Sequence, residues 1–169
     1  MSTIYHLGWD TSEPEAVDSG IGIVVYHFPV FQILKPIPLV GQHLYELIVN
    51  YKPAGNSAVC AWGIVNRGFV GDFLFHEGIG YVNLGYVFRE GKPLGRIASF
   101  ESGDTAAMLV DRAAGQVRFF MNGHQQRMYI NDMGFGDTQL YIGCILYQKA
   151  VVTLREHRVD AATDLIAIV

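Results

Sequence analysis

The stretch Gly115-Gln-Val-Arg-Phe-Phe-Met-Asn-Gly123 decides how the rest of the chain is read. Val117, Phe119 and Met121 recur at period two, which places them on one face of a strand. Asn122-Gly123 then supplies two residues that tolerate positive φ, as a two-residue type I′ hairpin turn requires. Asp111-Arg-Ala-Ala-Gly115 reads as a second tight connection. Thr105 to Asp111, Gly115 to Met121 and Gln125 to Ile130 are therefore expected to run as three consecutive antiparallel strands.

Outward from this core the same pattern repeats: a short apolar or alternating run closed by turn residues. Ile21 to His27, Leu44 to Tyr51, Ser57 to Val65, Tyr81 to Phe88, Leu140 to Tyr147 and Val151 to Glu156 are the further candidate strands. Helical periodicity is hard to find, and the 19 glycines punctuate the chain often enough to close each strand. Pro29, Pro36 and Pro38 each remove a ladder donor, so the segment from Phe28 to Pro38 offers at most an edge strand at Val30 to Leu34. The expected fold is all-β, an antiparallel two-sheet sandwich. Three regions are distinguished: an acidic N-terminal arm at 1–20, the sandwich at 21–158, and an apolar tail at 159–169 that docks on the domain as a strand or short helix. Leu165, Ile166, Ile168 and Val169 supply the tail's apolar side chains.

Composition narrows the function classes. The 169 residues suit one domain with a substantial core, and 17% charged residues with 50% apolar ones exclude intrinsic disorder. A net charge of −4 argues against a general nucleic-acid binder, which would show a basic face. Asp10, Glu13, Glu15 and Asp18 carry that whole surplus, because residues 1–20 contain no Lys or Arg. No apolar run reaches the ~18 residues of a membrane span and no secretory leader opens the chain, so a cytoplasmic protein is expected. Cys60 and Cys144 sit among apolar residues and read as buried thiols, not as a disulfide or metal site.

His43-Leu-Tyr-Glu-Leu-Ile-Val49, Trp62-Gly-Ile-Val65, Gly85-Tyr86, Gly103-Asp104, Leu109-Val-Asp111 and the Gly115–Gly123 hairpin, in this order, resemble the SPRY domain family. The likeness spans roughly residues 21 to 156. It departs at Thr105-Ala-Ala-Met108 and at Asn131 to Thr138, so the loops are this chain's own. The resemblance implies a concanavalin-like sandwich that binds a protein or peptide through loops at one end. By motif order those loops are the one after Trp62–Val65 and the turn before the last strand. They give Arg67, Phe69, Asp72, Phe73, Phe75, Tyr147 and Gln148 as candidate partner-binding residues, joined by Lys52 and Asn56 from the loop between Tyr51 and Ser57. Phe69, Phe73 and Phe75 admit two readings, interface anchors or caps buried on the sandwich.

Catalytic chemistry finds no constellation. The six histidines are scattered singly, no His or Cys pair has metal-ligand spacing, and no glycine loop has the pattern that cradles phosphate. No catalytic residue, metal or cofactor is expected. Gly103-Asp104 and Asp111 read as turn-holding aspartates. Two other classes stay open: a carbohydrate-binding or glycoside-hydrolysing sandwich, for which Glu101 and Asp104 are poorly spaced, and a structural subunit of a larger assembly.

Overall fold

The computed structural model describes the backbone of residues 2–8, 15–16, 24–27, 30–66, 78–146 and 150–159, and the side chains of 36–66, 78–146, 150–156 and 159. Period-two patterning gives fourteen strands among the described residues: β1 (Ser2–Gly8), β2 (Glu15–Ala16), β3 (Val24–His27), β4 (Val30–Pro36), β5 (Gln42–Tyr51), β6 (Cys60–Asn66) and β7 (Gly78–Val82) in the first half of the chain. The second half adds β8 (Tyr86–Arg89), β9 (Lys92–Arg96), β10 (Thr105–Asp111), β11 (Gln116–Met121), β12 (His124–Ile130), β13 (Leu140–Leu146) and β14 (Val151–Val159). One sheet runs in the order β12-β11-β10-β5-β14-β1-β2, the other β3-β4-β13-β6-β7-β8-β9. All pairings are antiparallel, as the two-sheet reading requires.

The alternation seen in sequence is the packing. Val117, Phe119 and Met121 from β11 and Tyr45, Leu47 and Val49 from β5 face Trp62 and Ile64 of β6 and Tyr81 of β7 in one buried core. Tyr81 joins the layers: its ring meets Phe119 of the opposite sheet edge-on at 5.9 Å and Phe100 at 5.1 Å. Its hydroxyl donates to the Ala98 carbonyl on the segment that crosses from β9 to β10. Cys60 and Cys144 are free, buried thiols, and the hydrogen bond between them, together with burial, pushes the Cys144 thiol up. The β11–β12 turn has Asn122 at φ 50° and Gly123 at φ 82°, both positive as a type I′ connection demands.

Four segments differ from the sequence reading. Tyr81 to Phe88 is two strands, because Gly85 at φ 98°, with its N–H bonded to the Val82 carbonyl 2.8 Å away, closes a turn between them. Lys92–Arg96 is a strand despite Pro93, which an edge tolerates because no neighbour needs its missing N–H. Val30–Pro36 is not an edge: β3 flanks it on one side and β13 on the other, with Pro36 falling at its last position. Ser2–Gly8, within the acidic arm, pairs along its whole length with β14. The tail beyond Val159 lies outside the described residues.

Truncating Phe119 to alanine removes the ring that Tyr81 meets across the layers and is expected to cost about 3–5 kcal/mol, read by chemical denaturation. Burial raises the Tyr45 and Tyr81 phenols above their ordinary value, assisted by Glu156 and Asp104 respectively. A phenol raised on folding stabilises the protein below its unfolded pKa of about 10, and that contribution is lost as pH climbs beyond it. Spectrophotometric titration is therefore expected to show these two phenols ionising only as the protein unfolds, with stability falling above pH ~10. Two early phenolate transitions at those residues in the intact fold would contradict the packing.

Candidate functional site

Strand direction sets which loops are neighbours. β5 ends at Tyr51, β6 begins at Cys60, β10 begins at Thr105, β13 ends at Leu146 and β14 begins at Val151, so all of these meet at one end, here called the Lys52 end. The opposite end carries Gln42, Asn66, Gly78, Asp111 and Leu140.

Lys52 and Asn56 lie in the loop at the first of these ends. The Lys52 side chain is fully buried, whereas Asn56 is exposed. Lys52 Nζ donates to the Pro53 carbonyl at 2.9 Å and pairs with Glu101 Oε2 at 2.8 Å, while the Glu101 side chain remains 57% exposed. The Lys52 backbone is bound from both sides by one hydroxyl: its N–H donates to Ser102 Oγ at 2.8 Å, and that Oγ–H donates to its carbonyl at 3.2 Å. Lys52 thus spends its charge inside the loop, positioning it.

The other limb of the loop is held by Asn83, which is buried at 1% exposure. Its Oδ1 accepts from Val59 N–H at 2.9 Å and Cys60 N–H at 3.1 Å, and its Nδ2 donates to the Ser57 carbonyl at 3.1 Å. A side-chain amide is suited to this task because it presents donor and acceptor together. Between these clamps Ala54, Gly55, Asn56 and Ser57 stand exposed.

The adjoining turn at 101–104 is stitched just as closely. Asp104 Oδ2 accepts from Glu101 N–H at 2.8 Å and Oδ1 from Asn122 Nδ2 at 3.0 Å, while Asn122 Oδ1 accepts from Thr105 N–H at 2.9 Å. Asp111 Oδ1 takes Ala114 N–H at 3.0 Å at the far end. Both aspartates hold turns, as their positions in the sequence suggested. Asn83 and Ser102 were not singled out from sequence, and Glu101 was weighed only as a hydrolytic carboxylate; Asn83-Leu-Gly85 and Glu101-Ser-Gly-Asp104 are turn signals that would have found them. Among the described residues no three His, Cys, Asp or Glu side chains converge as a metal site would need.

Arg67, Phe69, Asp72, Phe73, Phe75, Tyr147 and Gln148 lie outside the described residues. Their flanks are described. The connection bearing the phenylalanines leaves at Asn66 and returns at Gly78, opposite Leu140, whereas Leu146 precedes Tyr147 opposite Cys60. Because β6 and β13 are antiparallel neighbours, the connections that follow them emerge at opposite ends. Seven residues of strand set those flanks ~20 Å apart. The expectation that both loops rise from a single end does not match this register.

No family model matches the sequence, and no curated protein does. Solved structures do resemble the fold. The SPRY domain of human HERC1 superposes with a TM-score of 0.59 at 16% identity, over 78% of this chain and 84% of that one. The PSpry domain of TRIM65 gives 0.56 at 12% identity, over 73% and 67%. Identities this low speak for shared architecture, and that architecture is the one the motifs resembled: the chain folds as a SPRY-type β-sandwich.

Proposed function

We propose that this chain is a non-catalytic protein-interaction module, and that it accepts a segment of a protein partner on the Lys52 end of the sandwich. One observation carries the reading: the exposed crest Ala54–Ser57 is held on both limbs by buried polar groups, Asn83 on one and Lys52 with Ser102 on the other. A loop clamped in this way loses little conformational entropy when something binds to it. Its exposed backbone groups offer hydrogen bonds to an extended segment, and the half-exposed Glu101 carboxylate beside it adds a charge that favours a basic or donor-rich partner. Asn56 is the proposed contact on the crest. Tyr147 and Gln148 are proposed to join it, since the turn that bears them leaves from the same end. Lys52 positions the loop and does not reach the partner. The SPRY-type fold supports the reading, as a rigid sandwich whose loops are free to vary suits recognition.

Affinity capture from cells with the full chain, quantified by mass spectrometry, tests this with variants at both ends. Asn56→Arg and Tyr147→Ala are each expected to lose the specifically captured proteins by tenfold or more, on the order of 1.4 kcal/mol, with melting temperature unchanged. Leu39→Glu, exposed at the opposite end, is expected to keep them. The reverse pattern would overturn the proposal. Asn83→Ala leaves the Val59 and Cys60 N–H groups buried without an acceptor and is expected to cost about 2–4 kcal/mol in chemical denaturation. Its loop would also bind more weakly than the unfolded fraction explains.

A further inference from the structure

The seam between β9 and β12, along one flank of the sandwich, is not closed by a ladder. β12 ends the first sheet and β9 ends the second, so among the described residues each has a strand beside it on one side only. Side chains bring the two edges together instead. Gln126 Oε1 accepts the Ala98 N–H at 3.2 Å, and Met128 fills the space that a side chain at Gly95 would need. With Arg96 of β9 and Arg127 of β12, these residues line an open groove of about 720 Å³, within the ~300–1,000 Å³ of ordinary binding clefts.

The register shows what the edge of β9 presents. Tyr86 stands opposite Arg96, and the Ile97 N–H donates to the Gly85 carbonyl at 2.8 Å. That pattern marks a pair with no hydrogen bond between its own members, so the Arg96 N–H and carbonyl point away from β8. Ala98, two residues on, donates its N–H on the same side, where Gln126 takes it. A donor and an acceptor left open on an edge form the template on which an extended segment adds as a further strand. The groove also has a sign. Arg96 and Arg127 are exposed, and no Asp or Glu lines it. Arg96 lies over the Tyr86 ring, 5.2 Å from its centroid, which holds the guanidinium beside the edge without neutralising it. On a chain of formal net charge −4 this is a local reversal. Like charges on an edge keep copies of one chain from pairing there, and the same charges admit a strand of opposite sign.

We propose that this flank is a second docking site, which takes an extended acidic segment of a partner protein. The segment pairs with the open edge of β9 through the Arg96 N–H and carbonyl, and its carboxylates meet the Arg96 and Arg127 guanidinium groups. β9 is five residues long, so the added strand needs about 17 Å of extended chain. The site lies apart from the crest Ala54–Ser57 and does not rest on it.

Fluorescence anisotropy of the full chain with a labelled peptide of alternating Glu and Val tests the proposal, beside a peptide in which Lys replaces Glu. The Glu peptide is expected to bind and the Lys peptide to fail. Arg96→Gln with Arg127→Gln is expected to weaken the Glu peptide by about tenfold or more. Asn56→Arg, on the crest, is expected to bind it as the parent chain does, so the two sites succeed or fail separately. In the parent chain, hydrogen exchange at the Arg96 amide is expected to slow severalfold when the Glu peptide is added, which attraction between charges alone would not produce. No binding of the Glu peptide, equal binding of both peptides, an unchanged Arg96 amide, or binding of oligothymidylate in place of the Glu peptide would each overturn the proposal.

Discussion

The edge-on contact between Tyr81 and Phe119 is what the two layers hang from. Hydrogen-bonded ladders hold each sheet together, but nothing in a ladder binds one sheet to another; that falls to side chains meeting across the interior. Tyr81 reaches Phe119 on the opposite layer, Phe100 on the crossing segment and, through its hydroxyl, the Ala98 carbonyl. The same side chain therefore sets the spacing of the layers and the path by which the chain passes from β9 to β10. Phe100 in turn donates its N–H to the Asn83 carbonyl, so the residue that clamps the loop is fixed by the segment that Tyr81 pins.

This chain of dependence explains why the Lys52 end is rigid although it is built of loops. Its polar groups find partners inside the protein: the ammonium of Lys52 in Glu101 and Pro53, the amide of Asn83 in three backbone groups, the carboxylate of Asp104 in a backbone N–H and the Asn122 amide. A buried ammonium is tolerated only when it is paired, and here the pairing is shared with a carboxylate that still faces solvent. What is left exposed is a short crest with a fixed backbone. Lys52, the charged group that looked like a contact in the sequence, is buried and paired with Glu101 and so serves the scaffold.

Much of the fold was legible because its signals are local. Thr105–Asp111 matches its expected bounds, and Asn122-Gly123 makes the turn its chemistry demands. Asp104 and Asp111 hold turns for the reason their positions implied, a short carboxylate within reach of nearby N–H groups. What escaped was non-local. Lys92–Arg96 carries Pro93 and few apolar residues, and it is a strand only because β8 lies beside it. Ser2–Gly8 reads as an arm until β14 is present to pair with it. The expected site rests on the same kind of information: motif order says which loops exist, but only antiparallel pairing says that β6 and β13 end at opposite ends of the sandwich.

The pairing of β1 with β14 sets Ser2 opposite His157, about 5 Å apart as cross-strand partners are, so strands from the two ends of the described chain complete the same sheet side by side.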